Sequence, residues 1–268
     1  MKDPMAAFRR GRAVMGILNV TPDSFSDGGL WARPEDAAGR AFRMEDEGAD
    51  IIDIGAESTR PGSFPVSGSD EAARLVPALR EIVPSLSIPV SVDTMKTAVA
   101  EKAIGLGADM INDVYGLRDE GMAELCAGSG VSVVIMHAPG DPGNFHSEIM
   151  GQNFMEEIRS FLSGRARAAE EAGIKSGRIV LDPGIGFGKD AYQNQVILRS
   201  SGFFSEKYPV LAASSRKRFL SVMYPGTDPD EASARAALVS VIHGAAGVRV
   251  HNVGRTADLL RTTGRRRR

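Results

Sequence analysis

A chain of 268 residues with 43% hydrophobic and 25% charged side chains holds enough apolar material to build a large core without a disulfide or metal staple. Its formal net charge of −2 gives no long-range attraction to nucleic acid, and no run approaches the ~18 consecutive apolar residues of a membrane-spanning helix. Cys126 is the single cysteine, so no internal disulfide is available and a reducing, cytoplasmic compartment is expected.

Residues 1–12 carry charges but no apolar stretch of the signal-peptide kind, and read as a short N-terminal extension. Strand-like runs rich in β-branched and apolar residues then follow at 14–20, 51–54, 89–92, 110–111, 131–136, 179–181, 209–212 and 248–250. Between them the apolar residues recur every three or four positions, as in Ala37, Ala41, Met44 and in Ala72, Leu75, Leu79, Ile82, which predicts helices. Near-continuous apolar strands alternating with helices indicate a parallel sheet covered on both faces. About eight such units in this length predict an α/β protein of the (β/α)8 TIM-barrel class. A doubly wound open sheet is the competing architecture, and composition alone does not exclude it. No Pro/Ser-rich linker and no repeat divides the chain, so a single domain over residues 1–268 is expected. Its end, Arg265-Arg266-Arg267-Arg268, reads as a solvated basic tail without assigned function.

The polar residues sit at one end of strand after strand. Asn19 ends the first; Asp53 lies in the second, which runs into Glu57-Ser58-Thr59-Arg60. Asp93 ends the third, Asn112-Asp113 the fourth, His137 the fifth and Asp182 the sixth; the seventh leads into Ser214-Ser215-Arg216-Lys217 and the eighth into Arg249 and His251. In a barrel the carboxyl ends of the strands converge on one mouth, where active sites are built. Singly, each has a plain alternative: Asp93 as a helix cap, His137 as a hydrogen-bonded core histidine. The recurrence is what argues for a site. Arg60, Lys217, Arg249 and His251 suit a phosphate or carboxylate, and Asp93, Asn112 and Asp182 suit a heterocycle bearing several N–H groups. Asn19 is an oxygen donor able to touch Mg²⁺ beside a phosphate. No Cys/His cluster for zinc is present.

Two glycine-rich segments stand out. Asp182-Pro183-Gly184-Ile185-Gly186-Phe187-Gly188-Lys189 lacks the phosphate-loop pattern, because Asp190 follows the lysine, and its glycines are expected to let the backbone lie close to a flat ligand. The segment 19–29 follows the first strand and has the turn-rich composition of a mobile lid.

Taken together these motifs resemble those of the dihydropteroate synthases. Met15-Gly16-Ile17-Leu18-Asn19-Val20-Thr21-Pro22-Asp23-Ser24-Phe25-Ser26-Asp27-Gly28-Gly29 is similar to the family's first signature and Glu57-Ser58-Thr59-Arg60-Pro61-Gly62 to its second. Ser91-Val92-Asp93-Thr94, Ile111-Asn112-Asp113, Met136-His137, Leu181-Asp182-Pro183-Gly184 with Gly186-Phe187-Gly188-Lys189, Ser215-Arg216-Lys217 and Arg249-Val250-His251 follow in family order. The resemblance implies that Asp93, Asn112, Asp182 and Lys217 hold a pterin ring, with Arg249 against its face. It implies that Asn19, Thr59, Arg60 and His251 serve a pyrophosphate and its Mg²⁺, and that Phe187, Ser215 and two mobile loops shape a p-aminobenzoate site. The implied reaction is loss of pyrophosphate from the pterin methylene carbon and attack by the aniline nitrogen, with Arg60, Lys217, Arg249 and His251 as the catalytic cations. A homodimer is the implied assembly.

The chain departs from the family pattern at Ala56 and Ala213, where glycines are common, at Ser221, and at Ala138-Pro139. A methyltetrahydrofolate-dependent methyltransferase is a neighbouring reading, but such an enzyme should lack the Glu-Ser-Thr-Arg-Pro-Gly and Ser-Arg-Lys motifs. A non-catalytic pterin-binding paralogue would be favoured by loss of Arg60, Lys217 or His251, all of which are present.

Overall fold

The computed structural model describes residues 1–21, 33–59, 62–145 and 148–264. Helix α1 (Met5–Arg10) precedes β1 (Ala13–Asn19), after which helices and strands alternate: α2 (Pro34–Asp46), β2 (Ile51–Gly55), α3 (Gly68–Ile82), β3 (Val90–Asp93), α4 (Thr97–Gly105), β4 (Met110–Asp113), α5 (Met122–Ser129), β5 (Ser132–Met136), α6 (Phe154–Glu171), β6 (Ile179–Asp182), α7 (Ala191–Leu198), β7 (Leu211–Ala212), α8 (Phe219–Met223), α9 (Pro229–Ile242), β8 (Gly247–Val250) and α10 (Val253–Gly264). All the strand pairings are parallel and run β6-β5-β4-β3-β2-β1-β8-β7. A bridge between Leu181 and Val210 joins the two ends of this order, with Leu181 N–H donating to Pro209 O at 2.9 Å. The sheet is therefore a (β/α)8 barrel and not an open doubly wound sheet. Strand β7 is shorter than its apolar run, and Pro209, which has no N–H to give a ladder, lies just before it.

A strand's side chains alternate between its two faces, and here the alternation separates two kinds of chemistry. The outward positions (Val14, Leu18, Ile52, Ile54, Val90, Val92, Ile111, Val133, Ile135, Ile179, Leu181, Val248, Val250) belong to one apolar cluster with the buried faces of the helices. The inward positions near the amino ends of the strands (Ala13, Met15, Ile51, Met110, Val134, Val180, Leu211) form a second apolar cluster together with Met5, Ala7 and Phe8 of α1. The start of the chain is thus more than an extension: α1 closes the bottom of the barrel. Its Phe8 ring lies where a side chain at Gly247 would project, since a Cβ there would come within 2.7 Å of the ring. The Lys2 N–H is held at 2.5 Å by Asp109, whose other oxygen accepts from Val90 N–H at 3.0 Å.

Helix α3 begins at Gly68. Ser67 is its cap and accepts from Asp70 N–H at 3.1 Å. Replacing that hydroxyl leaves an end N–H without its partner, so Ser67→Ala should cost about 1 kcal/mol. In a chain of this size that lowers Tm by roughly 2–4 °C, as read by calorimetry; an unchanged Tm would show that the cap contributes nothing here.

Candidate active site

The inward positions toward the carboxyl ends of the strands are polar. Pairing register places Asn19, Gly55, Asp93 and Asn112 in one row across β1 to β4. Asp182 ends β6 opposite Met136, and Arg249 and His251 come from β8 and the turn after it. Ser215 and Lys217 follow β7. The carboxyl-end residues expected from the sequence therefore share one mouth. Thr59 sits half-buried on the loop after β2. Arg60, the lid residues 22–29 and the tail 265–268 lie outside the described residues.

A buried ion-pair network organises this mouth. Arg249 donates from Nε to Asp53 at 2.5 Å and from Nη2 to Asp93 at 2.6 Å. Asp53 also accepts from Asn112 Nδ2 at 3.0 Å. Asp93 is therefore not a helix cap. Burial pushes its carboxyl up to about 7, with Arg249 pulling against the rise and Asp53 adding to it. The sequence marks Asp53 only as a polar residue within its strand. It is fully buried, and its second oxygen has no hydrogen-bond partner among the described residues. The signal that marks it is the inward alternation Ile51, Asp53, Gly55.

Asp182 is buried and accepts from Gly184 N–H at 2.7 Å. Burial raises its pKa, opposed by Lys217 and the Gly184 hydrogen bond. Lys217 donates to Ile185 O, and its Nζ stands 4.8 Å from the centre of the Phe187 ring. Burial pushes Lys217 down to about 8, with Asp182 pulling it back up. Phe187 packs edge-to-face with Phe145 at 6.1 Å. Ser215 Oγ lies 2.9 Å from His251 Nδ1 and accepts the His251 backbone N–H at 3.2 Å, which holds the two as a pair. Between them and Lys217 stands Arg216, at the left-handed φ of 56°, an unfavourable conformation for a side chain of its size. It is fixed by two bonds to Asp230, at 2.7 and 3.1 Å, and by Ser233 at 2.8 Å. Such strain at a mouth residue sets the directions of Ser215 and Lys217 on either side of it.

The glycine loop behaves differently from expectation. Gly184, Gly186 and Gly188 all have left-handed φ, but the atoms they admit are the protein's own. A Cβ at these positions would fall 1.8 Å from His137 O, 2.7 Å from Lys217 Cδ and 2.2 Å from Pro139 Cγ, respectively. His137 is the hydrogen-bonded core residue of the plainer reading, buried beside Lys189. A further cluster has no sequence pattern of its own. Lys96 pairs with Glu57 and, at 2.6 Å, with the fully buried Glu71, and Glu57 in turn accepts from Val66 N–H at 2.8 Å. The loop after β2 is thereby tied to α3 and to the segment after β3. Of the departures from the family pattern, Ala56 and Ala213 are buried and absorbed, and Ser221 lies on the exposed face of α8, where it bonds only to Arg218 O at 2.8 Å.

Three carboxylates, an amide, a lysine and an arginine around one barrel mouth define a class: a barrel enzyme whose site takes a polar heterocycle. The particular family follows from comparison with known proteins. Residues 15–251 match the model of the pterin binding enzymes. The dihydropteroate synthase of Bacillus subtilis (strain 168) is 39% identical over 264 residues, covering 97% of this chain and 90% of that protein. Among solved structures, the Xanthomonas albilineans dihydropteroate synthase with 4-aminobenzoic acid is similar at a TM-score of 0.88 and 39% identity, over 96% of this chain and 94% of that one. The Burkholderia cenocepacia dihydropteroate synthase complexed with 7,8-dihydropteroate is similar at 0.84 and 39%, over 96% and 94%. The chain belongs to the pterin-binding enzyme family and, within it, to the dihydropteroate synthases.

Proposed function

We propose that the chain condenses 6-hydroxymethyl-7,8-dihydropterin pyrophosphate with p-aminobenzoate, giving 7,8-dihydropteroate and pyrophosphate on the route to folate. The observation that carries this reading is the convergence of Asp182, Asn112, Asp93 and Lys217 on one mouth. A pterin edge offers adjacent N–H donors to a carboxylate such as Asp182, and its ring oxygen suits the Lys217 ammonium. The guanidinium of Arg249, held flat by Asp53 and Asp93, is set to lie against the ring face. Thr59, Arg60 and His251 would meet the pyrophosphate, and Phe187 with Ser215 would bound the p-aminobenzoate site. The C–O bond to pyrophosphate breaks, the aniline nitrogen forms the new C–N bond, and its proton is lost to solvent. The cations act electrostatically on the charge that develops, and no covalent enzyme intermediate is required.

Asn19 is the residue to meet Mg²⁺. Its half-buried amide at the end of β1 is a single neutral oxygen donor. No group of three or more His, Cys, Asp or Glu able to hold a metal is found among the described residues. That donor set fits an ion that keeps most of its waters and arrives on the substrate's phosphates. Bound there, Mg²⁺ would supply charge neutralisation of the leaving pyrophosphate. We assign a homodimer, supported by the apolar side chains Tyr192, Phe203, Val222 and Ile242 exposed on and around α7, α8 and α9. A cytoplasmic setting is supported by the single, buried Cys126. No helix of the described residues is long and apolar enough to cross a membrane.

The deciding assay is formation of dihydropteroate from dihydropterin pyrophosphate, p-aminobenzoate and Mg²⁺; no product from folded protein would reject the reading. Binding is expected to be ordered, with the pyrophosphate completing the second site. Calorimetric titration with p-aminobenzoate should show tighter binding once pyrophosphate and Mg²⁺ are present. Equal affinity with and without them would remove the ordered scheme.

A further inference from the structure

Lys189 is buried, at 8% exposure, and touches none of the polar side chains assigned to substrates above. Its Nζ donates to Gly184 O at 2.9 Å and to Phe187 O at 2.8 Å, and lies 3.2 Å from His137 Nδ1. Burial and the Lys217 charge push its pKa down to about 7, so at mildly acidic pH it is an ammonium whose three N–H donors meet three acceptors. The loop it spans is the one whose glycines are pressed against His137 O, Lys217 and Pro139. From outside the loop Asn194 completes the hold: its Oδ1 accepts from Gly186 N–H at 2.6 Å, and its Nδ2 donates to Lys189 O at 3.1 Å. The other side of the same loop presents the Ile185 carbonyl, which Lys217 Nζ meets, and the Phe187 ring beneath that Nζ.

We propose that Lys189 is a positioning residue for the second substrate, its ammonium fixing residues 184–188 in the shape that sets the Phe187 ring and the Ile185 carbonyl against Lys217. This rests on the reading of the Phe187 wall as the p-aminobenzoate site. Pterin contacts are less dependent on it, because Asp93, Asn112, Asp182 and Arg249 stand on strands and only Lys217 leans on the loop, through Ile185 O. Burial also keeps the His137 ring neutral, pushing its pKa down to about 3 with Lys189 adding to the effect, so Nδ1 is a ready acceptor for the lysine.

The test compares wild type with Lys189→Met, which keeps length and removes all three donors, and Lys189→Gln, which restores part of them. Steady-state kinetics of Lys189→Met should show KM for p-aminobenzoate raised about tenfold, the weight of about one hydrogen bond, with KM for the pterin pyrophosphate raised several-fold less, through Lys217 alone. Lys189→Gln should fall between. If Lys189→Met does not fold, Lys189→Gln carries the comparison. Nitrogen-15 NMR of the histidines, at mildly acidic pH where the lysine is charged, should show His137 with an unprotonated Nδ1 in wild type and a changed Nδ1 signal in both variants. That readout needs no turnover, so an inactive wild type would reject the proposed reaction while leaving the Lys189 contact to be judged by itself. A fall in Tm or kcat with both KM values unchanged, equal rises in both KM values, or a His137 signal indifferent to the substitution would overturn the proposal.

Discussion

Asp182→Ala is expected to leave the barrel folded and to weaken pterin binding roughly 10- to 100-fold. The carboxylate sits buried at the end of β6, under the charges of Lys217 and Arg249. Within the protein its side chain accepts the Gly184 N–H. Losing that bond costs a modest fraction of the stability. Losing the charged acceptor of the pterin's paired donors costs on the order of 1.5–3 kcal/mol, or roughly 10- to 100-fold in affinity. Dihydropteroate formation should fall at least as far, because orientation of the methylene carbon depends on the ring's seat. Asp182→Asn keeps an oxygen for Gly184 but brings an N–H₂ to face the pterin donors, so it should bind scarcely better. Calorimetry with a pterin ligand decides the matter: wild-type affinity in a folded Asp182→Ala protein would sink the assignment.

Arg249→Met should be the most damaging single change to stability. It strips the common partner from Asp53, which is fully buried, and from Asp93, which is half-buried, and leaves the two carboxylates facing each other. Removing one member of a buried ion pair typically costs about 3–5 kcal/mol, and the fully buried Asp53 puts this site in that class. The sign of the pH dependence follows from linkage. In the wild type the Asp93 pKa lies above its ordinary value of 3.8, at about 7. A carboxyl raised in this way contributes stability that is complete below about 3.8 and is lost as pH rises through its folded value. Without Arg249 the folded Asp93 value rises further, so the variant should suffer most at about pH 8 and recover partly at about pH 5.5. Urea unfolding at the two values tests this, with Asp53→Asn added to the variant as a compensating change that should return part of the loss. A cost below about 1 kcal/mol at both values, or a larger cost at the acidic one, would contradict the network as described.

The sequence by itself determined the class of fold and the side of the barrel that matters. Apolar runs at eight places, separated by stretches of helical spacing, are a local property of the chain, and they mark strands and helices whatever the rest does. The polar residue that ends nearly every run is equally local, and in a barrel it assigns Asn19, Asp93, Asn112, Asp182, Lys217, Arg249 and His251 to one mouth. Tertiary structure decided what those residues do to one another. Nothing in the order of residues says that Arg249 joins Asp53 and Asp93, which lie 196 and 156 positions away; barrel closure brings β8 beside β1 and so within reach of both. The same holds for α1, whose few apolar residues look like an ordinary chain start until the open lower end of the barrel gives Phe8 a place to be buried. The glycine loop shows the limit most clearly. Its composition promised close approach, but only packing settled that the close neighbours are His137, Pro139 and Lys217, because a glycine records the room that is needed and not what fills it.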